Sequence, residues 1–573
     1  MATLITLDPT YPSGCFVALA SPLSTYPSSR TTGFAPLAAA RVHSARQNED
    51  RWGHVRTGSV MREVTAKSVK LGRDLDGMLS EALERDLLVR IGWGRGGDEK
   101  PKKGEIGAIS HLPAKSRVLL LGDLGECAGA MNSGGNFTLQ GSSTSMLGAF
   151  QREGRIVVEK DVGDRLGSRM TGGTITVQGS AGDEVGACMS GGTVIVRGHV
   201  GKRAGAGMSD GTIVVLGSVG SEPGVGMTGG RVVIAGSCPP PGEGAAMRGV
   251  EAAEMVQLAE YLEPLGLTLE EDALVLVPSE SSAGIAEMPD SSVAEGFESI
   301  ALVPSSSERL AEHTPLDPFT LLMPLGIEEG GVLFPVPWLV ESDSVSGWAG
   351  AASQSQPALV RESPREHDLV LVGEGNLIDC AKWLGSCAGV VLDLTDLPQL
   401  NDAEIEAILV SITCKMNDDS LILLRDCVDR ADHLFRLVVD LDLDGAVIDA
   451  ASPGGSRAAS ALPRIGLAAR AMNLAEQGRH LLIEMDEAPS AEDMLIAVAA
   501  GCPILVAPPP ADGLEETLVW LDSTVRGWML ELGIDGLEQL SRRNLRALDY
   551  DTASISGLRL VGFDRPLPMW LGN

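Results

Sequence analysis

Aromatic residues make up only 4% of the 573-residue chain, so its cores must be aliphatic and rich in small side chains, which suits close-packed repeats. The nine cysteines (15, 127, 188, 238, 380, 387, 414, 427 and 502) form no CxxC pair and no dense framework. That excludes a disulfide scaffold and a zinc finger, and it predicts a reducing, cytoplasmic compartment. Nowhere do about 18 apolar residues run together, so no membrane span is expected. Positive charge is scarce as well: Lys+Arg 45 against Asp+Glu 77 gives a net charge of −32. With no basic stretch to reverse that sign locally, nucleic acid is not an expected partner. No Ser/His/Asp set, zinc spacing or Walker loop is present.

The length predicts a multidomain protein of two to four domains. The first forty-odd residues are rich in Ser, Thr and Pro, with Arg30, Arg41, Arg46 and the single acid Asp8. Residues 1–60 are therefore expected to be a flexible N-terminal leader, followed by a short α/β lead-in over 61–117.

The strongest signal is a repeat of 19 residues. One glycine column runs Gly129, Gly148, Gly167, Gly186, Gly205, Gly224 and, after one inserted residue, Gly244; a second runs Gly135, Gly154, Gly173, Gly192, Gly211, Gly230. Two apolar columns keep the same step: Phe137, Ile156, Ile175, Val194, Ile213, Val232, and Leu139, Val158, Val177, Val196, Val215, Ile234. The two apolar columns are two residues apart, so both point to one face of a short strand. Glycines at the corners permit positive φ and close approach of successive coils. Stacked coils of this kind predict a right-handed parallel β-helix over 118–249. A recurring Met (Met131, Met170, Met189, Met208, Met227, Met247, with Phe150 once) reads as a gap filler in a narrow core rather than a soft-metal site. Strings such as Gly205-Ala206-Gly207 are not dinucleotide loops, because no amphipathic helix comes next to receive a pyrophosphate.

Residues 250–277 form a helical extension with an amphipathic helix and turn from Met255 to Leu269, and 278–315, rich in Ser, Glu and Pro, read as a linker. Over 316–573 apolar strands at Leu369–Val372, Val390–Leu394, Leu421–Leu424, Ala446–Ile448, Leu481–Glu484 and Ile504–Ala507 alternate with helical stretches. Leu321–Leu325 and Val332–Val340 are candidates for two more. Up to eight such strands predict a TIM-like (β/α)₈ barrel, with chemistry at the strand C-terminal ends. Glu374, Asp393, Asp426 and Asp449 fall there, where each could instead cap a helix or a loop amide, and Gly454-Gly455-Ser456 could cradle a phosphate or form an ordinary turn.

The run from Val200 to Gly217, with Arg203-Ala204-Gly205-Ala206-Gly207-Met208-Ser209-Asp210-Gly211 at its centre, resembles the GXGXG domain shared by glutamate synthase and the C subunit of formylmethanofuran dehydrogenase. The segment Met255 to Leu269 is similar to the one that succeeds this domain in archaeal-type glutamate synthase. The stretch Asp444-Gly445-Ala446-Val447-Ile448-Asp449 running into Gly454-Gly455-Ser456 resembles the FMN barrel of the same large-subunit family. The resemblance implies a divergent FMN-like barrel acting in glutamate and ammonia metabolism, with Arg425, Asp449, Gly454, Gly455 and Ser456 as the cofactor-binding set. It also implies partners, a separate glutaminase chain or other glutamate synthase subunits, because no Cys nucleophile stands at Met1-Ala2-Thr3.

Three departures shape the expectation. Arg425 stands where the family has a lysine beneath the flavin. Asp486-Glu487-Ala488-Pro489 replaces the Gly-Gly-Leu-Arg turn whose amides hold phosphate, and two carboxylates with a proline there repel a phosphate and remove a donor. Only Cys502 lies near the family's three Fe–S cysteines, and one thiolate holds no cluster. FMN binding is thus expected to be weak and no Fe–S cluster is expected. Two further assignments stand beside an active oxidoreductase: a catalytically degenerate scaffold or regulator of glutamate synthase, and a protein like the formylmethanofuran dehydrogenase C subunit, which the barrel disfavours.

Overall fold

The computed structural model describes residues 6–8, 60–93, 104–269, 272–279, 300–304, 323–325, 332–450, 477–511, 513–548 and 550–562, with isolated positions between 465 and 474. Gly454, Gly455 and Ser456, and most of the 1–60 leader and the 278–315 linker, lie outside the described residues. The chain divides into two compact units, and Leu400–Lys415 groups with the first half of the sequence.

The first unit contains helix α1 (Val60–Glu84) and a large, mainly parallel sheet of eleven strands: β1 (Thr6–Asp8), β2 (Leu88–Ile91), β3 (Arg117–Leu121), β4 (Ser133–Gln140), β5 (Glu153–Val158), β6 (Thr174–Val177), β7 (Ser190–Val196), β8 (Asp210–Val215), β9 (Arg231–Ile234), β10 (Ala245–Gly249) and β11 (Leu274–Pro278). From β2 to β9 every neighbour is parallel and sequential, so Phe137, Ile156, Ile175, Val194, Ile213 and Val232 stand in register, one per strand. These residues and the Leu139-to-Ile234 column are buried in one continuous core. β11 lies between β9 and β10 and is antiparallel to both. The 250–277 stretch is thus a helix, α2 (Ala252–Leu262), and then a strand, because the apolar run Leu274–Pro278 completes the sheet. Leu258 and Leu262 of α2 and Val275 cover the other face of the sheet at Ile195, Val214 and Val233.

Two more lines of contact repeat at the same step. Parallel bridges join Glu105, Leu124, Ser143 and Val162, and again Ala181, Val200 and Val219. The amides of Gly148, Gly167, Gly186, Gly205 and Gly224 donate to the carbonyls of Ala128, Leu147, Leu166, Val185 and Ala204. At the corners the glycines are demanded by sterics: Gly186 has φ +65°, and a Cβ there would lie 2.4 Å from Ile213 Cδ1.

The methionine column needs one correction. Counting back 19 residues from Met170 reaches Gln151 and Asn132, not Phe150 and Met131, which sit one residue earlier in left-handed conformation (φ +57° each). Asn132 and Gln151 are fully buried and pin their own turn: Asn132 Oδ1 accepts from the amides of Gly134 (3.1 Å) and Gly135 (2.8 Å), and Gln151 Nε2 donates to the Gly154 carbonyl (3.2 Å). In later repeats Met fills that position by packing, its methyl occupying the space a Cβ would need. Met170 Cε would be 2.6 Å from a Cβ on Gly192. A third left-handed column, Cys127, Met146, Arg165, Glu184, Arg203 and Glu222 (φ 55° to 58°), carries no glycine and so left no mark in the sequence.

Helix α3 (Asp402–Thr413) belongs to this unit although it comes after a barrel strand in sequence. Every residue from Glu404 to Thr413 is buried, the signature of a helix covered on all sides. Asn401 and Glu404 form a reciprocal capping box, and the same Glu404 carboxylate takes Arg165 Nη1 at 2.9 Å. Beyond the far end of α3, Lys415 pairs with Asp76 of α1.

The second unit holds a closed barrel of eight parallel strands, preceded by three short strands that stay outside it. β12 (Ile300–Leu302) pairs antiparallel with Leu545–Ala547. Leu321–Leu325 does not enter the barrel either: β13 (Met323–Leu325) pairs antiparallel with β14 (Val332–Phe334) as a hairpin. The barrel strands are β15 (Trp338–Ser342), β16 (Ala358–Val360), β17 (Leu369–Val372), β18 (Gly389–Asp393), β19 (Leu421–Cys427), β20 (Gly445–Asp449), β21 (His480–Glu484) and β22 (Ile504–Ala507). The apolar run Val332–Val340 splits at Pro335 and Pro337, so only its second part becomes a barrel strand. The remaining strand, β16, is three residues long, too short for alternation to reveal. Trp338 is fully buried and closes the seam by donating Nε1–H to the Ala507 carbonyl at 3.0 Å.

Candidate functional site

The barrel interior is aliphatic for most of its height. Leu339, Leu359, Leu371, Val391, Leu423, Val447, Leu482 and Val506 form one buried cluster. Side chains repeat every second residue along a strand, so the next inward position toward the C-terminal end is two residues on. There the chemistry changes to Glu341, Arg361, Gly373, Asp393, Arg425, Asp449, Glu484 and Pro508, a layer charged everywhere except at the glycine and the proline. Catalytic groups of TIM-type barrels stand at this end.

Arg425 is the centre of the layer. Its Nε donates to Glu484 Oε2 at 2.6 Å and its Nη2 to Glu484 Oε1 at 2.7 Å, a bidentate fork. Nη2 also lies 2.9 Å from Asp449 Oδ2, while Nη1 donates to Asp393 Oδ2 and to Thr395 Oγ1, both at 2.8 Å. A guanidinium has five N–H bonds, and five acceptor contacts are accounted for. Asp393 is fixed in turn by Thr395, whose amide (3.0 Å) and hydroxyl (2.6 Å) both donate to Oδ1. The carboxylates around it hold Arg425 well above the ordinary guanidinium range, against its burial.

One cation thus faces Asp393, Asp449 and Glu484, with Glu341 as a fourth carboxyl in the layer. Burial pushes the Glu484 carboxyl up to about 7 against the pull of Arg425, and Glu341 and Asp449 add to the push. Burial raises Glu341 too, although Arg425 and Arg361 pull it down. Two coupled carboxyls of this kind titrate as a pair rather than singly.

Of the residues singled out in the sequence, Arg425 and Asp449 meet here, joined by Asp393. Asp426 points out of the barrel, where it accepts from the Cys427 amide (2.7 Å) and pairs with Arg430 (2.7 Å), so it acts as a loop and helix-entry anchor. Glu374 lies beyond β17, its amide donating to Asp396 Oδ2 at 3.1 Å. Asp486, Glu487 and Ala488 form an exposed stretch after β21, and Cys502 is buried with its thiol pushed up to about 12 by desolvation. Among the described residues, no three His, Cys, Asp or Glu side chains converge to hold a metal ion. Sequence reasoning misses Glu341 and Glu484, although both stand two residues past an interior leucine, the alternation that marks the layer.

Comparison with protein-family models finds no match, and neither does comparison with curated proteins. Among solved structures, the formyltransferase/hydrolase complex (FhcABCD) from Methylorubrum extorquens in complex with methylofuran is similar at 28% identity. The likeness covers 28% of this chain and 70% of that one, with a TM-score of 0.25, and a superposition that loose carries no argument about this chain. Among the described residues no helix is long and apolar enough to cross a membrane.

Proposed function

We propose that the chain is a divergent relative of the glutamate synthase large subunit, with a GXGXG right-handed parallel β-helix ahead of an FMN-type barrel that now serves as a scaffold or regulator. The three repeating lines of contact between 19-residue coils support the β-helix. The observation that carries the scaffold reading is the saturation of Arg425, which spends its donors on Asp393, Thr395, Asp449 and Glu484. A flavin enzyme keeps a cation or amide free to stabilise the reduced ring anion, and phosphate needs a cradle of donors. Apart from Arg361, the remaining charged groups of this mouth's interior layer are acceptors. Glutamine-dependent turnover then depends on separate chains, a glutaminase or other subunits of the enzyme that this protein would support.

The test is the absorption spectrum of the purified protein and its titration with FMN, monitored by fluorescence quenching. The expected outcome is a colourless protein, no glutamate formed from glutamine and 2-oxoglutarate, and FMN affinity weaker than about 1 μM. Sub-micromolar FMN binding abolished by Gly455→Asp restores the oxidoreductase assignment.

A further inference from the structure

Positive charge is scarce in a chain of net charge −32, yet it gathers on one small sheet of the second unit. There β12 pairs with β23 (Leu545–Ala547), which pairs in turn with β24 (Arg559–Leu560). Leu545 and Ala547 are buried on one face, so alternation turns Arg546 to the other. Arg559 is the direct partner of Arg546 on β24 and Ala301 its partner on β12, so two arginines stand side by side on the outer face. One period further along, Leu548 and Val561 continue that face, 54% and 50% exposed, with the Val561 amide donating to the Ala547 carbonyl at 3.0 Å. Arg543, in the turn ahead of β23, is exposed as well. Like charges directly opposite each other destabilise a strand pair. Among the described residues no carboxylate pairs with Arg543, Arg546 or Arg559, so none there offsets the repulsion. Arg546 is nevertheless held in place, its Nη1 donating to the Arg543 and Leu545 carbonyls, both at 2.7 Å. Its Nε and Nη2 have no acceptor among the described residues, and together they form the fork that fits a carboxylate bidentately.

We propose that this face of β23 and β24 docks an extended acidic segment of a partner protein, with carboxylates on Arg546 and Arg559 and an apolar side chain on Leu548 and Val561. A phosphate or other small anion would use the two arginines and leave the apolar pair in water. A long nucleic acid would meet the repulsive field of a chain of charge −32. Two cations beside two apolar side chains match instead a polypeptide whose acidic and apolar residues stand two apart, the period of an extended chain. The docking face uses none of the Arg425 cluster and holds whether or not the barrel is a scaffold.

The experiment titrates the whole protein into a fluorescein-labelled peptide, Ser-Glu-Ser-Leu repeated three times, and reads fluorescence anisotropy. At about 0.15 M salt the Debye length of about 8 Å screens the distant acidic surface but not a contact at a guanidinium. The expected result is saturable binding that weakens about tenfold in Arg546→Gln/Arg559→Gln, and about threefold in Leu548→Ser/Val561→Ser. Binding should vanish when every Glu of the peptide is replaced by Gln. Arg559→Gln alone breaks no hydrogen bond among the described residues, so its expected loss of about threefold is separate from any effect on folding. Absence of saturable binding up to about 1 mM peptide, or equal affinity in the double arginine variant, overturns the proposal. Inorganic phosphate or an oligothymidylate that binds as tightly as the peptide, and ignores Leu548→Ser/Val561→Ser, overturns it by making the face an anion site alone. Binding seen only in Asp549→Asn/Asp551→Asn overturns it too, by giving the arginines a counter-ion within the chain. No flavin enters the measurement, so tight FMN binding would sink the scaffold reading and leave this result to stand or fall alone.

Discussion

Replacing Arg425 with Met removes the counter-charge of three carboxylates whose side chains are 2% (Asp393), 0% (Asp449) and 4% (Glu484) exposed. Breaking a buried ion pair by deleting one partner costs about 3–5 kcal/mol, chiefly because the remaining charge is stranded. Three stranded charges do not triple that figure, since each can neutralise itself by binding a proton. The loss at pH 7 should thus be at least about 3 kcal/mol, a large share of the ~5–15 kcal/mol that holds a domain folded. Carboxyls raised in the folded state bind more protons there than when unfolded, so the variant should recover stability as pH falls and lose it as pH rises. The assay is urea denaturation at about pH 5 and about pH 7, with the barrel's transition fitted apart from that of the first unit. A variant within about 1 kcal/mol of wild type at pH 7, or one harmed more by acid, would refute the account of Arg425 as the counter-ion of these three carboxylates.

Ile175→Asp or Val194→Asp should cost the first unit several kcal/mol, seen as a lower melting temperature, because both side chains are fully buried in the ladder core and no cation can reach them. His111 is buried and held neutral, its pKa pushed down to about 3 by desolvation and then by Lys415. The folded state therefore binds fewer protons than the unfolded chain, and the first unit should lose ~1.4 kcal/mol per pH unit below about pH 6.5, a slope that His111→Gln removes in acid denaturation curves. Protein prepared anaerobically should carry no stoichiometric iron and inorganic sulfide, since the buried Cys502 thiol stands without companions of the family pattern; near-stoichiometric iron and sulfide would contradict this.

The first unit was legible because its repeat writes the same constraint many times. From Gly129 to Gly205 the glycine that recurs every 19 residues stands where a would-be Cβ lies 2.4 to 3.1 Å from an Ile or Val side chain of the next repeat, and the strand columns coincide with the observed register. What the repeat could not reveal was the left-handed column filled by Arg165, Glu184 and Arg203, because those side chains are kept for other work: Glu184 pairs with both arginines across successive repeats. Met131 stands one residue off its expected column for a similar reason, since Asn132 satisfies by hydrogen bonds a corner that Met170 satisfies by volume. In the barrel, six strands were visible as apolar runs, whereas the Leu321–Leu325 run pairs with Val332–Phe334 in a hairpin outside the barrel and β16 is only three residues long. The charged layer was half visible: Asp393 and Asp449 come directly after hydrophobic strands, but Glu341 is succeeded by Ser342 within its strand and looked like a strand end alone.

The closure of the mouth bears on any anion that would enter it. To contact a phosphate or a reduced flavin, Arg425 would have to withdraw donors from carboxylates it already holds. A charge-assisted hydrogen bond is worth ~1.5–3 kcal/mol, so releasing two of them costs about 3–6 kcal/mol, or roughly a hundredfold to ten-thousandfold in affinity. The released carboxylates would then repel the incoming anion at short range. Protonation offsets part of this cost, and the raised Glu484 and Glu341 carboxyls are the groups able to supply it. Any weak anion binding at this mouth should therefore strengthen in acid, as those carboxyls are neutralised, whereas binding of a cation should strengthen in base.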